Sequence, residues 1–381
     1  MFAVLVTLLA GCGDTDGAAD DTAGTDTAAM IDTTDDSSVD DTSVDDTASD
    51  TVIADTTPPG PFTVTPFDFT RINSIGDVNV RRADAMVDFG GGPFASVIMR
   101  VELDTTCFPF SLWADDPPPA GHNWPPMCDA FDRNFEIALD MPDGDADPPG
   151  LELVRAITPF GGPLDFEVDV TDLANGLPGM HRIRSAISTY SDGAGQVSGS
   201  AGGWNVTVHF DVTPGAAPRN VLKVESLFYG SLGPDATVNA TFEVPDEVFY
   251  TILEYRVTGH GGGDSGCLGP AEEFCRRDHV LSADGVEVFR DDAWRTDCDD
   301  LCTLTTEGAS FQYCAENPTG SIQSVRASRA NWCPGAVTPP WVFDLEAYRV
   351  GGTHTFSNEV LPLIAPGGIW VTSVRVTSYG R

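Results

Sequence analysis

Beyond residue 61, apolar and polar residues alternate in short runs cut by Gly, Pro and Asp. Alternation with period two predicts half-buried strands rather than helices. The clearest runs are 97–103, 151–157, 166–170, 182–189 and 205–212. They are followed by 221–228, 236–244, 253–258, 280–281, 286–289 and 370–377. Phe135, Ile137 and Leu139 mark another, entered from the stretch Cys128-Asp129-Ala130-Phe131-Asp132. Only 171–177 predicts helix, and for a single turn. Many short strands with frequent turn residues point to an all-β chain of sandwich or jelly-roll type. Residues 214–218, Pro-Gly-Ala-Ala-Pro, predict a stiff linker between one sandwich at 62–213 and another at 219–381. Two sandwiches on so short a linker should pack side by side, and the crevice between them suits a ligand.

The first part of the chain has a different texture. Residues 2–11 form an apolar run too short to span a bilayer, which suits the core of a signal peptide at 1–12. Its end, Leu9-Ala10-Gly11-Cys12, resembles the processing box of bacterial lipoproteins, which makes Cys12 the expected lipidation site. Residues 13–61 are rich in Asp, Thr, Ala and Ser. Such a segment cannot bury enough apolar surface to offset its ordering entropy, so it predicts an extended, disordered tether. The chain is then expected at the bacterial outer membrane or cell surface.

Charge narrows the partners. The net charge is −38, and Lys223 is the only lysine. Such a chain repels nucleic acid and anionic headgroups, so membrane contact is expected through the lipid anchor alone. A monomer is expected.

The chain has nine cysteines. Setting Cys12 aside leaves an even number in an exported protein, which predicts a disulfide framework. Sequence order predicts local pairs: Cys107–Cys128, Cys267–Cys275, Cys298–Cys302 and Cys314–Cys333. A zinc site would need CxxC or histidine spacing that is missing here, so neither a metal nor a cofactor is expected.

Three loops anchored by these cysteines each carry a charged group: Asp132 behind Cys128, Glu273 before Cys275, and Arg329 before Cys333. His260 closes a predicted strand and opens a glycine-rich loop. Each of these could be a surface charge beside a structural disulfide. A carboxylate fixed at a strand end is equally an arrangement for acid–base chemistry.

At these residues the chain resembles the bacterial peptide:N-glycosidase F amidases, over roughly residues 67–381. The resemblance rests on Cys128-Asp129-x-x-Asp132-Arg133, on 157–160 followed by 168–172, on Gly259-His260, on Glu273-Phe274-Cys275 and on Arg329-x-x-Trp332-Cys333-Pro334-Gly335. It implies two eight-stranded jelly rolls with a site in their shared cleft. It also implies hydrolysis of the amide joining asparagine to the first N-acetylglucosamine of an N-linked glycan, with no metal. Asp132 would be the catalytic carboxylate. Glu273 and Arg329 would hold the chitobiose core and position water, and His260 and Trp332 would line the cleft. Arg133, next to Asp132 on a strand, would face the other way.

This sequence also departs from the family's pattern. Phe274 and Phe131 stand where the family has tryptophan, and Ser188 stands where it has a cleft acid. An insertion at 108–127, with Trp113, His122 and Trp124, is expected to overhang the cleft and alter glycan selection. A non-catalytic, lectin-like surface protein on the same fold is therefore the alternative. A copper monooxygenase would need a His-x-His site, and the six histidines (122, 181, 209, 260, 279, 354) contain none. A serine hydrolase would need the missing Gly-x-Ser-x-Gly elbow.

Overall fold

The structure is a computed structural model, and it describes residues 60–75, 78–105, 120, 128–141, 149–189, 202–262, 267–307 and 311–381. The expected signal peptide with Cys12, the tether up to residue 59, Cys107 and almost all of the 108–127 insertion lie outside the described residues.

The first half builds β1 (Phe62–Ile75), β2 (Val78–Val80), β3 (Arg82–Asp88), β4 (Phe94–Thr105), β5 (Asn134–Leu139), β6 (Leu151–Ile157), β7 (Leu164–Asp169), β8 (Met180–Ile187) and β9 (Gly203–Pro214). The single predicted turn of helix is α1 (Thr171–Gly176). One sheet has the order β2-β1-β9-β4-β7 and the other β3-β8-β5-β6. Trp204, Phe210, Phe89 and Ile137 fill the space between them.

The second half builds β10 (Val221–Leu232), β11 (Val238–Val244), β12 (Tyr250–Gly261), β13 (Asp278–Ala283), β14 (Val286–Asp292), β15 (Leu304–Glu307), β16 (Phe311–Cys314), β17 (Trp341–Asp344), β18 (Gly352–Leu361) and β19 (Gly368–Tyr379). A short helix, α2 (Ile322–Arg326), follows β16. The sheets run β10-β19-β12-β17 and β11-β18-β13-β14, around Trp370, Tyr255, Leu253 and Phe356.

The two halves therefore repeat one jelly-roll order, with β2 added to the first and the β15–β16 hairpin inserted in the second. The repeat extends to side chains. Asp140, just after β5, accepts from the Arg182 N–H and faces His181 Nδ1 at 2.7 Å. Asp284, just after β13, accepts from the Thr355 N–H and faces His354 Nδ1 at 2.9 Å. His181 and His354 thus close equivalent corners of the two folds.

The sandwiches pack tightly side by side. All seven residues of β6 are buried, on both faces of the strand. Leu151, Leu153, Val154 and Ala156 enter the first core. Glu152 and Arg155 instead meet the second sandwich. The free edge of β6 is also covered by residues 335–338: Ile157 N–H donates to Ala336 O, and Thr338 N–H donates to Arg155 O. Glu152 accepts from Arg155 Nε at 2.8 Å, Arg256 at 3.0 Å and the Ser373 hydroxyl. Arg155 reaches on to Thr258 and the Val371 carbonyl. Buried charges persist only when they are paired and hydrogen-bonded in this way.

Candidate active site

Asp132 lies two residues before β5, in the connection from β4 to β5. Glu273 lies in a 3-10 turn (Glu272–Phe274) within the connection from β12 to β13. The two carboxylates therefore come from equivalent connections of the two jelly rolls. Between them stands Arg329, whose guanidinium donates to Glu273 Oε1 at 2.8 Å and lies 3.5 Å from Asp132 Oδ2. The Arg329 side chain is 1 % exposed, whereas Asp132 and Glu273 are 20 % and 24 % exposed. The acids face the cleft and the guanidinium lies beneath them.

Several features fix Arg329. Its backbone forms a two-way bridge with Arg295, and the next N–H, of Ala330, donates to the Glu273 carbonyl at 2.8 Å. Its side chain donates to the Ser324 carbonyl and hydroxyl. The guanidinium sits over the rings of Phe274 and Trp332, at 5.0 and 4.4 Å. Trp332 is 1 % exposed, and its indole N–H donates to Gly259 O. This corrects its expected place: Trp332 is a buried plate under the site rather than a cleft wall. The His260 ring stacks on that of Trp332, with centroids 5.2 Å apart. Burial, with help from Arg155 and Arg329, pushes the imidazole down to about 3, so it is neutral.

The Asp132 segment is held from below. Asp129 is fully buried and accepts from Arg133 Nε at 3.1 Å. The Thr158 hydroxyl accepts from the Arg133 N–H and donates to Phe131 O. A Cβ on Gly202 would stand 1.9 Å from the Asp129 nitrogen, so the two backbones touch there. Arg133 faces Asp129 rather than Asp132, but not through strand alternation as expected, because β5 begins only at Asn134. Asp129 entered the sequence reading only as part of the Cys128 motif, with no role of its own; an Asp four residues before an Arg otherwise reads as a surface pair. Ser188 is exposed, and its N–H donates to the carbonyl of Asn134, two residues after Asp132.

The electrostatics make the acids a pair. Burial raises the Glu273 carboxyl to about 7; Arg329 opposes this and the Asp132 charge adds to it. Burial also raises Asp132, against the pull of Arg329. Asp129, beneath them, is pushed up to about 7 by burial. One guanidinium between two desolvated carboxylates leaves room for a shared proton near neutrality, so the two titrate together.

The disulfides correct the sequence reading. Cys267–Cys275 forms as expected, next to Glu273. The other two are Cys298–Cys333 and Cys302–Cys314, not Cys298–Cys302 and Cys314–Cys333. The β15–β16 hairpin folds Cys314 back onto Cys302, which leaves Cys298 beside Cys333. Cys128 is disulfide-bonded, and its expected partner Cys107 lies outside the described residues. Among the described residues, one group could hold a metal, Cys267, Glu272 and Cys275, but both cysteines are in a disulfide.

Fold and cleft together define a two-domain jelly-roll protein with a carboxylate from each domain at the junction. Residues 229–379 match the family described as peptide-N-glycosidase F, C terminal. The second jelly roll is thus similar to the C-terminal domain of that family. No curated protein matches the sequence. Among solved structures, recombinant peptide:N-glycanase F superposes with a TM-score of 0.59 at 18 % identity, over 84 % of this chain and 96 % of that one. PNGase F, a glycosylasparaginase from Flavobacterium meningosepticum, gives 0.60 at 17 % identity, with the same coverage.

Proposed function

We propose that the chain is a glycoamidase acting on N-linked glycoproteins or glycopeptides. It would cleave the amide between asparagine and the first N-acetylglucosamine, releasing a glycosylamine and leaving aspartate. The observation that carries the reading is the triad itself: Asp132 and Glu273, one from each sandwich, on either side of buried Arg329.

In this reading Asp132 is the base and Glu273 the acid. Burial raises both carboxyls, and near neutrality the pair holds one shared proton, so one acid can carry the charge while the other keeps the proton. Asp132 takes a proton from water as the water oxygen bonds to the side-chain carbonyl carbon. Glu273 then gives its proton to the departing glycosyl nitrogen as the C–N bond breaks. Two acids held at different protonation by their surroundings are the arrangement such a reaction needs. Arg329 is too deep for broad contact with substrate, so it positions both acids and sets their shared charge. His260 and Phe274 offer ring surfaces beside them for the sugar.

One observation favours the lectin-like alternative: an exposed Ser188 stands where the resembled family has an acid. Incubating a denatured glycoprotein with the full chain separates the readings. Conversion of asparagine to aspartate, abolished by Asp132→Asn, supports hydrolysis. Retention of the glycan without conversion supports binding alone. We also propose lipid anchoring at Cys12; Cys12→Ala should move the protein from the membrane to the soluble fraction.

A further inference from the structure

A cavity of about 340 Å³ lies between the sandwiches, and none of Asp132, Glu273 and Arg329 lines it. Its wall comes from α1 and the end of β7 on one side and from β12, β17 and β19 on the other. Ile252, Glu254 and Arg256 face it from alternate positions of β12. Two and four residues further on, Thr258 meets Arg155 and His260 stacks on Trp332. Arg256 and His260 are thus about 13 Å apart along the strand. The cavity and the candidate active site sit towards opposite ends of one strand, with the buried Glu152–Arg155–Arg256 cluster between them.

We propose that this cavity is a second binding site, and that it takes a neutral saccharide of one or two rings. Most of the charged groups on the wall are already matched to one another, Asp172 with Arg219, Glu254 with Arg375, and Arg256 with Glu152, while Asp169 accepts from the Thr171 N–H. The Tyr379 hydroxyl also donates to Asp172, at 2.7 Å. A charged ligand would have to break one of these pairs, at the cost of an uncompensated charge. A ring of hydroxyls can instead donate to the carboxylates and accept from the guanidiniums without separating them. Leu153, Ile252 and Val342 supply apolar surface for the C–H face of a sugar. The volume falls at the small end of ligand sites, which limits the occupant to one or two rings. Both jelly rolls contribute walls, so the site exists only when they are docked. The inference rests on this wall and not on catalysis; the glycoamidase reading only makes a saccharide ligand unsurprising.

The test is calorimetric titration of the full-length Asp132→Asn protein with free chitobiose and free mannobiose. Val342→Trp is then added. Val342 is 60 % exposed, so an indole there fills the cavity mouth without entering the core. Two sites per chain falling to one on Val342→Trp would support both this site and a sugar-binding cleft. One site falling to none would support this site and count against the cleft. One site unaffected by Val342→Trp, or no binding of either sugar, would overturn the proposal. The deacetylated, positively charged counterpart of chitobiose should leave the second site empty; equal filling would overturn the choice of a neutral ligand.

Discussion

Glu273→Gln should change how stability depends on pH, and by an amount the structure sets. The carboxyl moves from an ordinary 4.5 to about 7 on folding. Between those values the native chain holds a proton that the unfolded chain has released. Stability therefore falls as pH rises through that window, and the loss is complete above it. At about 1.4 kcal/mol per unit the full loss is about 3 kcal/mol, and nearer 2 kcal/mol once solvent reaching a partly exposed side chain is discounted. Glutamine has no proton to lose. The variant should match the parent near pH 5 and exceed it by about 2 kcal/mol at pH 8. Urea unfolding of both proteins across this range gives the difference directly, and the general repulsion of a chain with net charge −38 is common to both curves. Parallel curves for parent and variant would refute the claim that Glu273 is protonated near neutrality.

Arg329→Lys should cut activity by about a hundredfold or more, because an ammonium cannot reach Glu273, Asp132 and Ser324 together as the planar fork does; initial rates on a glycopeptide read this out. Glu152→Gln should cost about 3–5 kcal/mol in urea unfolding, since it leaves Arg155 and Arg256 facing a neutral amide in a buried interface. Activity should fall as pH rises above about 7, as Glu273 loses the proton it gives to the leaving nitrogen. A rate profile flat from pH 6 to 9 would exclude that role.

Much of the fold was legible because alternation survives wherever a strand has one wet face. The 97–103 run lies inside β4, and the 370–377 run inside β19. The strands that the pattern hid have physical reasons. Register shifts interrupt β1 twice, at 64–67 and 67–70, and break its period. In β18 the buried positions include His354 and Asn358, polar residues satisfied by Asp284 and Tyr255. Strand β3 presents small alanines where larger apolar residues would give a signal.

The site was legible for a different reason. Asp132, Glu273 and Arg329 each stand near a cysteine, which marks a loop held firmly enough to aim a charge. Glu152, Arg155 and Arg256 carried no such mark. A charge on a strand reads as solvent-facing, and here the second sandwich takes the place of solvent. The equivalence of the two carboxylate-bearing connections was equally invisible, because the loops differ in length and share no residues. It appears only when the strand orders are compared. It suggests a simple origin for a two-acid site: two copies of one fold meeting so that matching loops face each other.

The central claim is that Asp132 and Glu273 act together on water at the sandwich junction. The most direct measurement is incubation of a single-site glycopeptide with the full chain in heavy-oxygen water, followed by mass spectrometry of the peptide. The account predicts aspartate at the former glycosylation site carrying one heavy oxygen, and none with Asp132→Asn. An intact glycopeptide with the parent chain, or equal conversion by Asp132→Asn, would contradict it.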